Sequence, residues 1–142
     1  PYSITLSIVE DTIFLLNDEE ARLLTNKKTT EAAAEELIKL GPKIIIIKKG
    51  SLGSYIYDQK NNIKLDVPAF PIDRIVDTTG AGDSFAGGFI GNIEKTNIID
   101  AVIAGSAIAS FTVSAFGVDG LLNIDEKEIN NRINYIKSLM KD

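Results

Sequence analysis

Asp77-Thr78-Thr79-Gly80-Ala81-Gly82-Asp83-Ser84-Phe85-Ala86-Gly87-Gly88-Phe89 is the stretch around which this 142-residue chain reads. An apolar approach (Ile72, Ile75, Val76) leads into it, and an apolar run at helical spacing (Phe85, Ala86, Phe89, Ile90) leaves it. Between the two, Gly80, Ala81 and Gly82 carry almost no side chain, so their backbone N–H groups can come close to an anion. The following residues read as the first turn of a helix, whose free N–H groups and positive dipole end also favour negative charge. Asp83 sets a carboxylate beside that position, and the combination points to phosphoryl transfer. A purely structural account uses the same residues. Gly-rich turns are common, and an Asp in a first helical turn suits the dipole in any protein. Two other phosphate motifs are excluded: no G-x-x-x-x-G-K-S/T occurs, and Phe85 stands where G-x-G-x-x-G needs its third glycine. A dehydrogenase domain therefore lacks its dinucleotide fingerprint, and NAD binding is not expected.

Upstream, the pattern is that of alternating strands and helices. Ile13 to Leu16 is a short apolar run ending in Asn17 and Asp18, which reads as a buried strand followed by a helix start with acidic residues in its first turn. On pattern alone Asn17 and Asp18 are caps. Thr30 to Leu40 reads as an amphipathic helix with Ala33, Leu37 and Leu40 on its apolar face, capped by Thr29 or Thr30 and stopped at Gly41-Pro42. Ile44 to Ile47 is too short for a helix after Pro42. It fits a central strand covered on both faces, as in a parallel α/β sheet. Lys48 to Ser54 is either a hairpin turn before the strand pattern Tyr55-Ile56-Tyr57 or a ligand loop at the carboxyl end of a central strand. A turn at Asn61-Asn62 leads to a further strand, Ile63 to Val67, and Pro68 and Pro71 flank the loop that reaches the central stretch.

Downstream, Asn97 to Val113 reads as a helix rich in small residues (Ala101, Ala104, Gly105, Ala107, Ala109) that can sit close to a sheet or a flat ligand. Asp125 to Glu128 opens a last helix with capping-box spacing, and Ile129, Ile133, Ile136 and Leu139 form its apolar stripe. No repeat or low-complexity linker marks a boundary, and the length suits one domain.

Composition narrows the chemistry. Hydrophobic residues at 44% suffice for a core, and a net charge of -5 argues against non-specific nucleic-acid binding. No apolar run reaches membrane-spanning length and no signal peptide is visible, so the expectation is a cytoplasmic protein with no membrane partner. With neither Cys nor His, thiol chemistry, Cys or His zinc sites and imidazole bases are excluded. Acid–base work falls to Asp, Glu, Lys or Tyr, which phosphoryl transfer tolerates because it rests on positioning and charge neutralisation.

The Asp77–Asp83 run and its continuation to Phe89 resemble the C-terminal signature of the ribokinase-like (PfkB) carbohydrate kinases. The resemblance implies an α/β fold, the three-layer α/β/α ribokinase-like (Rossmann-like) sheet. Residues 1–142 would form its C-terminal nucleotide-binding and catalytic-base part, without the N-terminal part and lid. It implies an ATP-dependent kinase acting on a sugar or nucleoside hydroxyl. In this reading Gly80, Ala81 and Gly82 form the anion hole, and Asp83 is the base. Asn17-Asp18-Glu19-Glu20 is similar to the family's N-x-x-E motif, which implies that Asn17 reaches the nucleotide phosphates and Glu20 orders Mg²⁺ through water. Glu19 stays a surface residue.

By the same resemblance Lys48, Gly50, Ser51 and Gly53 line the ATP site, Ser106 meets the adenine and Gly117 closes its pocket. Asp77 and Thr79 match positions that in many relatives help hold a monovalent cation such as K⁺. Residue chemistry alone favours an Asx turn for Asp77. The alternative to an enzyme is a nucleotide-binding or scaffolding half, with the acceptor site supplied by the family's N-terminal half or by a partner, a homo-oligomer included.

Overall fold

The computed structural model of the chain describes residues 4–8, 11–72, 80–114 and 124–141. The chain divides into two compact units, Pro1–Asp66 and Val67–Asp142.

Among the described residues the first unit holds a five-stranded sheet of order β1-β2-β3-β4-β5, whose last residue, Val67, opens the second unit. The strands are β1 (Ile4–Ile8), β2 (Asp11–Asn17), β3 (Ile44–Lys48), β4 (Ser54–Asp58) and β5 (Ile63–Val67). β2 and β3 run parallel, while β1 is antiparallel to β2 and β4 antiparallel to β3. The parallel pair is joined through helices α1 (Asp18–Thr25) and α2 (Thr30–Ile38). The sheet is therefore mixed, with a parallel centre as the isoleucine run predicts.

Alternation along β3 explains why four isoleucines stand in a row. Ile45 and Ile47 pack with Leu16, Ala33, Ala34, Leu37 and Tyr55 on the helix-bearing face. Ile44 and Ile46 point the other way beside Ile13, Leu15 and Ile56, and these are buried as well. Burying each such side chain contributes about 1.5–3 kcal/mol. Four together outweigh strand-propensity differences that span only ~1 kcal/mol per residue.

Two details depart from the sequence reading. β1 was not anticipated, although Ile4, Leu6 and Ile8 alternate with Thr5 and Ser7. α2 ends at Ile38 rather than Leu40: Lys39, Leu40 and Gly41 donate to the carbonyls of Glu36, Leu37 and Ile38 in a tightened last turn. That tightening turns Leu40 outward, 76% exposed, and Ala34 and Ile38 take its expected place in the core. The cap is Thr29, which accepts from the Ala32 N–H at 3.1 Å. Thr30 instead donates to Asp18 Oδ1 at 2.8 Å.

Tyr55 gives this core a pH signature. Burial pushes its phenol above the ordinary value; Lys64 opposes the shift, and Glu31, Asp66 and Glu35 add to it. A tyrosine raised in the folded state contributes stability that is fully present below the unfolded pKa of about 10 and is lost as pH rises through the folded value. Tyr55→Phe is therefore expected to flatten the alkaline loss of stability above about pH 10. Urea unfolding at a series of pH values reads this directly, and an unchanged slope would contradict the assignment.

The second unit holds helices α3 (Ala81–Ile93), α4 (Ile98–Val113) and α5 (Glu126–Leu139). Glycine sets how closely α3 and α4 pack. A Cβ on Gly88 would lie 3.0 Å from Gly105 Cα, and one on Gly105 would lie 2.8 Å from the Phe85 carbonyl oxygen. Ile90, read as part of the apolar run of α3, is half exposed. α5 docks on α4 through Arg132, whose guanidinium lies 3.7 Å from the Phe111 ring centroid and 4.4 Å from that of Phe70. Its Nη1 donates to Ser110 Oγ at 2.7 Å, and Tyr135 meets Phe70 edge-on. Burial pushes the Arg132 pKa down and Glu128 opposes the shift; an arginine stays charged regardless. Of the expected stripe only Ile136 is fully buried, and Leu139, in the last turn, is exposed.

Candidate active site

The predicted site residues fall into two groups, one in each unit. In the first unit they gather at the carboxyl ends of β2 and β3. Asn17 lies opposite Lys48 across the parallel pair, and Lys48 lies opposite Ser54 across the antiparallel one. The N-x-x-E motif closes as a capping box: Glu20 N–H donates to Asn17 Oδ1 at 2.8 Å, and Asn17 N–H donates to Glu20 Oε1 at 3.3 Å. Asn17 is thus a cap, as its pattern alone suggests. The box also fixes both side chains, leaving the Asn17 amide group and Glu20 Oε2 outside it. Glu19 is exposed.

The Lys48–Ser54 segment is a tight link between the antiparallel strands β3 and β4, and it lies at the carboxyl end of β3, which runs parallel to β2. Gly50 to Leu52 form a single 3-10 turn. Gly50 (φ +59°) and Gly53 (φ +92°, ψ −143°) take backbone conformations that favour glycine, so the turn depends on both. Ser51 and Leu52 are exposed at its tip, while Gly53 is buried.

In the second unit Gly80 is the N-cap of α3, at φ +81° and ψ −3°. A side chain in that left-handed conformation costs about 1–2 kcal/mol, so glycine is required by the backbone rather than by space. The Gly80 carbonyl accepts from the Ser84 N–H at 2.9 Å. The cap comparison is informative. Among the described residues α1, α2, α4 and α5 each carry a side-chain cap, from Asn17, Thr29, Asn97 and Asp125. α3 carries none. Among the described residues no capping side chain takes its first N–H groups, around Gly80, Ala81 and Gly82, which is the condition for receiving an anion.

Asp83 sits in this first turn, exposed, and among the described residues its carboxylate makes no hydrogen bond or ion pair. Ser106 is almost fully buried on α4, next to the glycine that touches Phe85. Asp77, Thr79 and Gly117 lie outside the described residues.

Sequence reasoning missed the device that holds the start of α3. Ser84 Oγ and Thr112 Oγ1 are 2.8 Å apart and pin the first turn of α3 to the last turns of α4. Together with the Gly88–Gly105 contact this fixes the helix end that presents Gly80 to Asp83. The only forewarning was the small-residue composition of α4, which does not say which glycine meets which.

Among the described residues no group of three or more His, Cys, Asp or Glu side chains could hold a metal ion.

A family model described as pfkB family carbohydrate kinase matches residues 10–124. The 2-dehydro-3-deoxygluconokinase of Bacillus subtilis is 40% identical over 104 residues, covering 72% of this chain and 32% of its own length. The crystal structure of ribokinase from Thermotoga maritima superposes with a TM-score of 0.73 at 32% identity, covering 84% of this chain and 41% of that one. An E. coli protein provisionally named ribokinase II, in complex with ATP and Mg²⁺, superposes with a TM-score of 0.73 at 28% identity, covering 87% and 39%. The chain thus spans about a third to two-fifths of the length of these proteins.

Proposed function

The chain belongs to the pfkB family of carbohydrate kinases, and from that premise we propose that it carries the nucleotide-binding side and the catalytic base of an ATP-dependent kinase. We assign residues 1–142 to the C-terminal part of the family's kinase domain. The acceptor is a hydroxyl of a sugar or nucleoside, in keeping with the kinases the chain resembles. The observation that carries the reading is the start of α3, which among the described residues has no side-chain cap and offers backbone N–H groups next to an Asp83 with no hydrogen bond or ion pair.

In this proposal the N–H groups of Gly80, Ala81 and Gly82 face the transferring phosphoryl group. A preorganised donor of this kind is worth on the order of 3 kcal/mol of transition-state stabilisation. Asp83 accepts the proton of the attacking hydroxyl, and its exposure leaves room for an acceptor to approach. Asn17, oriented by its capping box, reaches the nucleotide phosphates, and Glu20 steers the hydrated Mg²⁺. Mg²⁺, when bound with ATP, neutralises charge on the phosphates. Lys48, Gly50, Ser51, Gly53, Ser106 and Gly117 line the nucleotide site. Asp77 and Thr79 hold a monovalent cation, K⁺ in this reading. Mg²⁺ and ATP receive support from the E. coli relative that binds both. No helix among the described residues is long and apolar enough to cross a membrane.

The test is ADP release by the intact protein with ATP, Mg²⁺ and a panel of sugars and nucleosides, run beside size-exclusion chromatography. Acceptor-dependent ADP release is the expected result. A protein that binds ATP and phosphorylates nothing would favour a nucleotide-binding half, and one that does not bind ATP would end the proposal.

A further inference from the structure

We infer that Lys49, which no site assignment above includes, is a positioning residue that holds the Gly50–Gly53 turn in its ligand-ready shape. This rests on the reading that the turn lines the ATP site.

Within the turn itself Gly53 N–H donates to the Gly50 carbonyl at 3.1 Å. A Cβ on Gly50 would meet nothing within 4 Å, and Ser51 and Leu52 are exposed. Two glycines at positive φ give it conformational freedom that other residues would lack. Lys49 closes it three times over. Its N–H donates to the Gly53 carbonyl at 2.7 Å, across the neck of the turn. Its carbonyl accepts from the Leu52 N–H at 3.1 Å. Its side chain crosses to β5, where Nζ donates to Asp66 Oδ1 at 2.6 Å. The lysine side chain is only 15% exposed, whereas that of Asp66 is 58% exposed. A lysine so covered, with its ammonium on one partner, is anchored rather than waving in solvent. The ion pair thereby fixes the residue whose backbone sets the neck, and the neck fixes Gly50, Ser51 and Gly53.

The expected effect is modest because one partner of the pair is exposed. Lys49→Met and Asp66→Asn should each weaken Mg·ATP binding about two- to fivefold in the intact protein, the range such a pair supports. The melting temperature should move little. Lys49→Arg, which keeps the charge and reach, should restore affinity near that of the unsubstituted protein. Amide hydrogen exchange without nucleotide should quicken at Gly50–Gly53 in Lys49→Met and not in the core strands. Calorimetric titration with Mg·ATP separates the outcomes. If the unsubstituted protein binds and both variants bind equally tightly, Lys49 has no positioning role and only this inference falls. A loss of affinity that tracks a general loss of stability, unrescued by arginine, would overturn it too. No ATP binding by the unsubstituted protein overturns the proposed function, and this inference with it.

Discussion

Asp83→Asn should lower turnover of the intact kinase by about 10²–10⁴-fold, the contribution of a positioned general base, while ATP affinity stays within about twofold. The asparagine is nearly the same size and cannot accept a proton. Asp83 is exposed in the first turn of α3 and makes no hydrogen bond or ion pair among the described residues, so its replacement breaks none of those. A small loss of helix stability follows from removing a negative charge near the positive end of the dipole, about 0.3–1 kcal/mol. That loss is too small to mimic a missing base. Steady-state kinetics with saturating ATP, beside a calorimetric ATP titration, distinguishes the two. A variant with full turnover would show that the proton leaves by another route, and one that fails to bind ATP would place Asp83 in binding rather than in proton transfer.

Gly105→Ala should destabilise the protein by about 1–2 kcal/mol, because it forces α3 and α4 apart at a tight contact. Two effects compete. Alanine in a helix is favoured over glycine by about 1 kcal/mol, whereas overfilling a packed contact costs about 1–3 kcal/mol. The geometry decides for the second: the new Cβ would lie 2.8 Å from the Phe85 carbonyl oxygen, a backbone atom that cannot turn aside. Gly87→Ala is the matched control. Gly87 is exposed on α3 and a Cβ there meets nothing within 4 Å, so helix propensity should win and add up to about 1 kcal/mol. Urea denaturation of the two variants should therefore shift in opposite directions. If both gained stability, the close approach of α3 and α4 would not exist in solution.

How far the sequence alone reveals these features depends on what each residue must satisfy locally. The β3 isoleucines were legible because a strand buried on both faces leaves no alternation to misread. The starts of α1, α4 and α5 were legible because a cap bonds a backbone N–H only two or three residues away. The end of α2 was not, since the last turn tightened and rotated Leu40 out of the stripe its spacing suggested. β1 showed an alternating pattern, but its five residues are short and their strand identity rests on pairing with β2.

Within the candidate site, the glycine bend and its carboxylate could be read from one contiguous stretch, and the family followed from it. What supports them could not. Ser84 and Thr112 are 28 residues apart, and Gly88 and Gly105, like Lys49 and Asp66, are 17 apart. Nothing local to either member of such a pair names the other.

The most direct measurement is a crystal structure of the intact protein with Mg²⁺ and a non-hydrolysable ATP analogue. The expected result places terminal phosphate oxygens about 2.7–3.1 Å from backbone nitrogens of the Gly80–Gly82 bend, with the Asp83 carboxylate facing the open side of the terminal phosphorus. A nucleotide bound with its phosphates away from the start of α3, or with Asp83 turned from them, would contradict it.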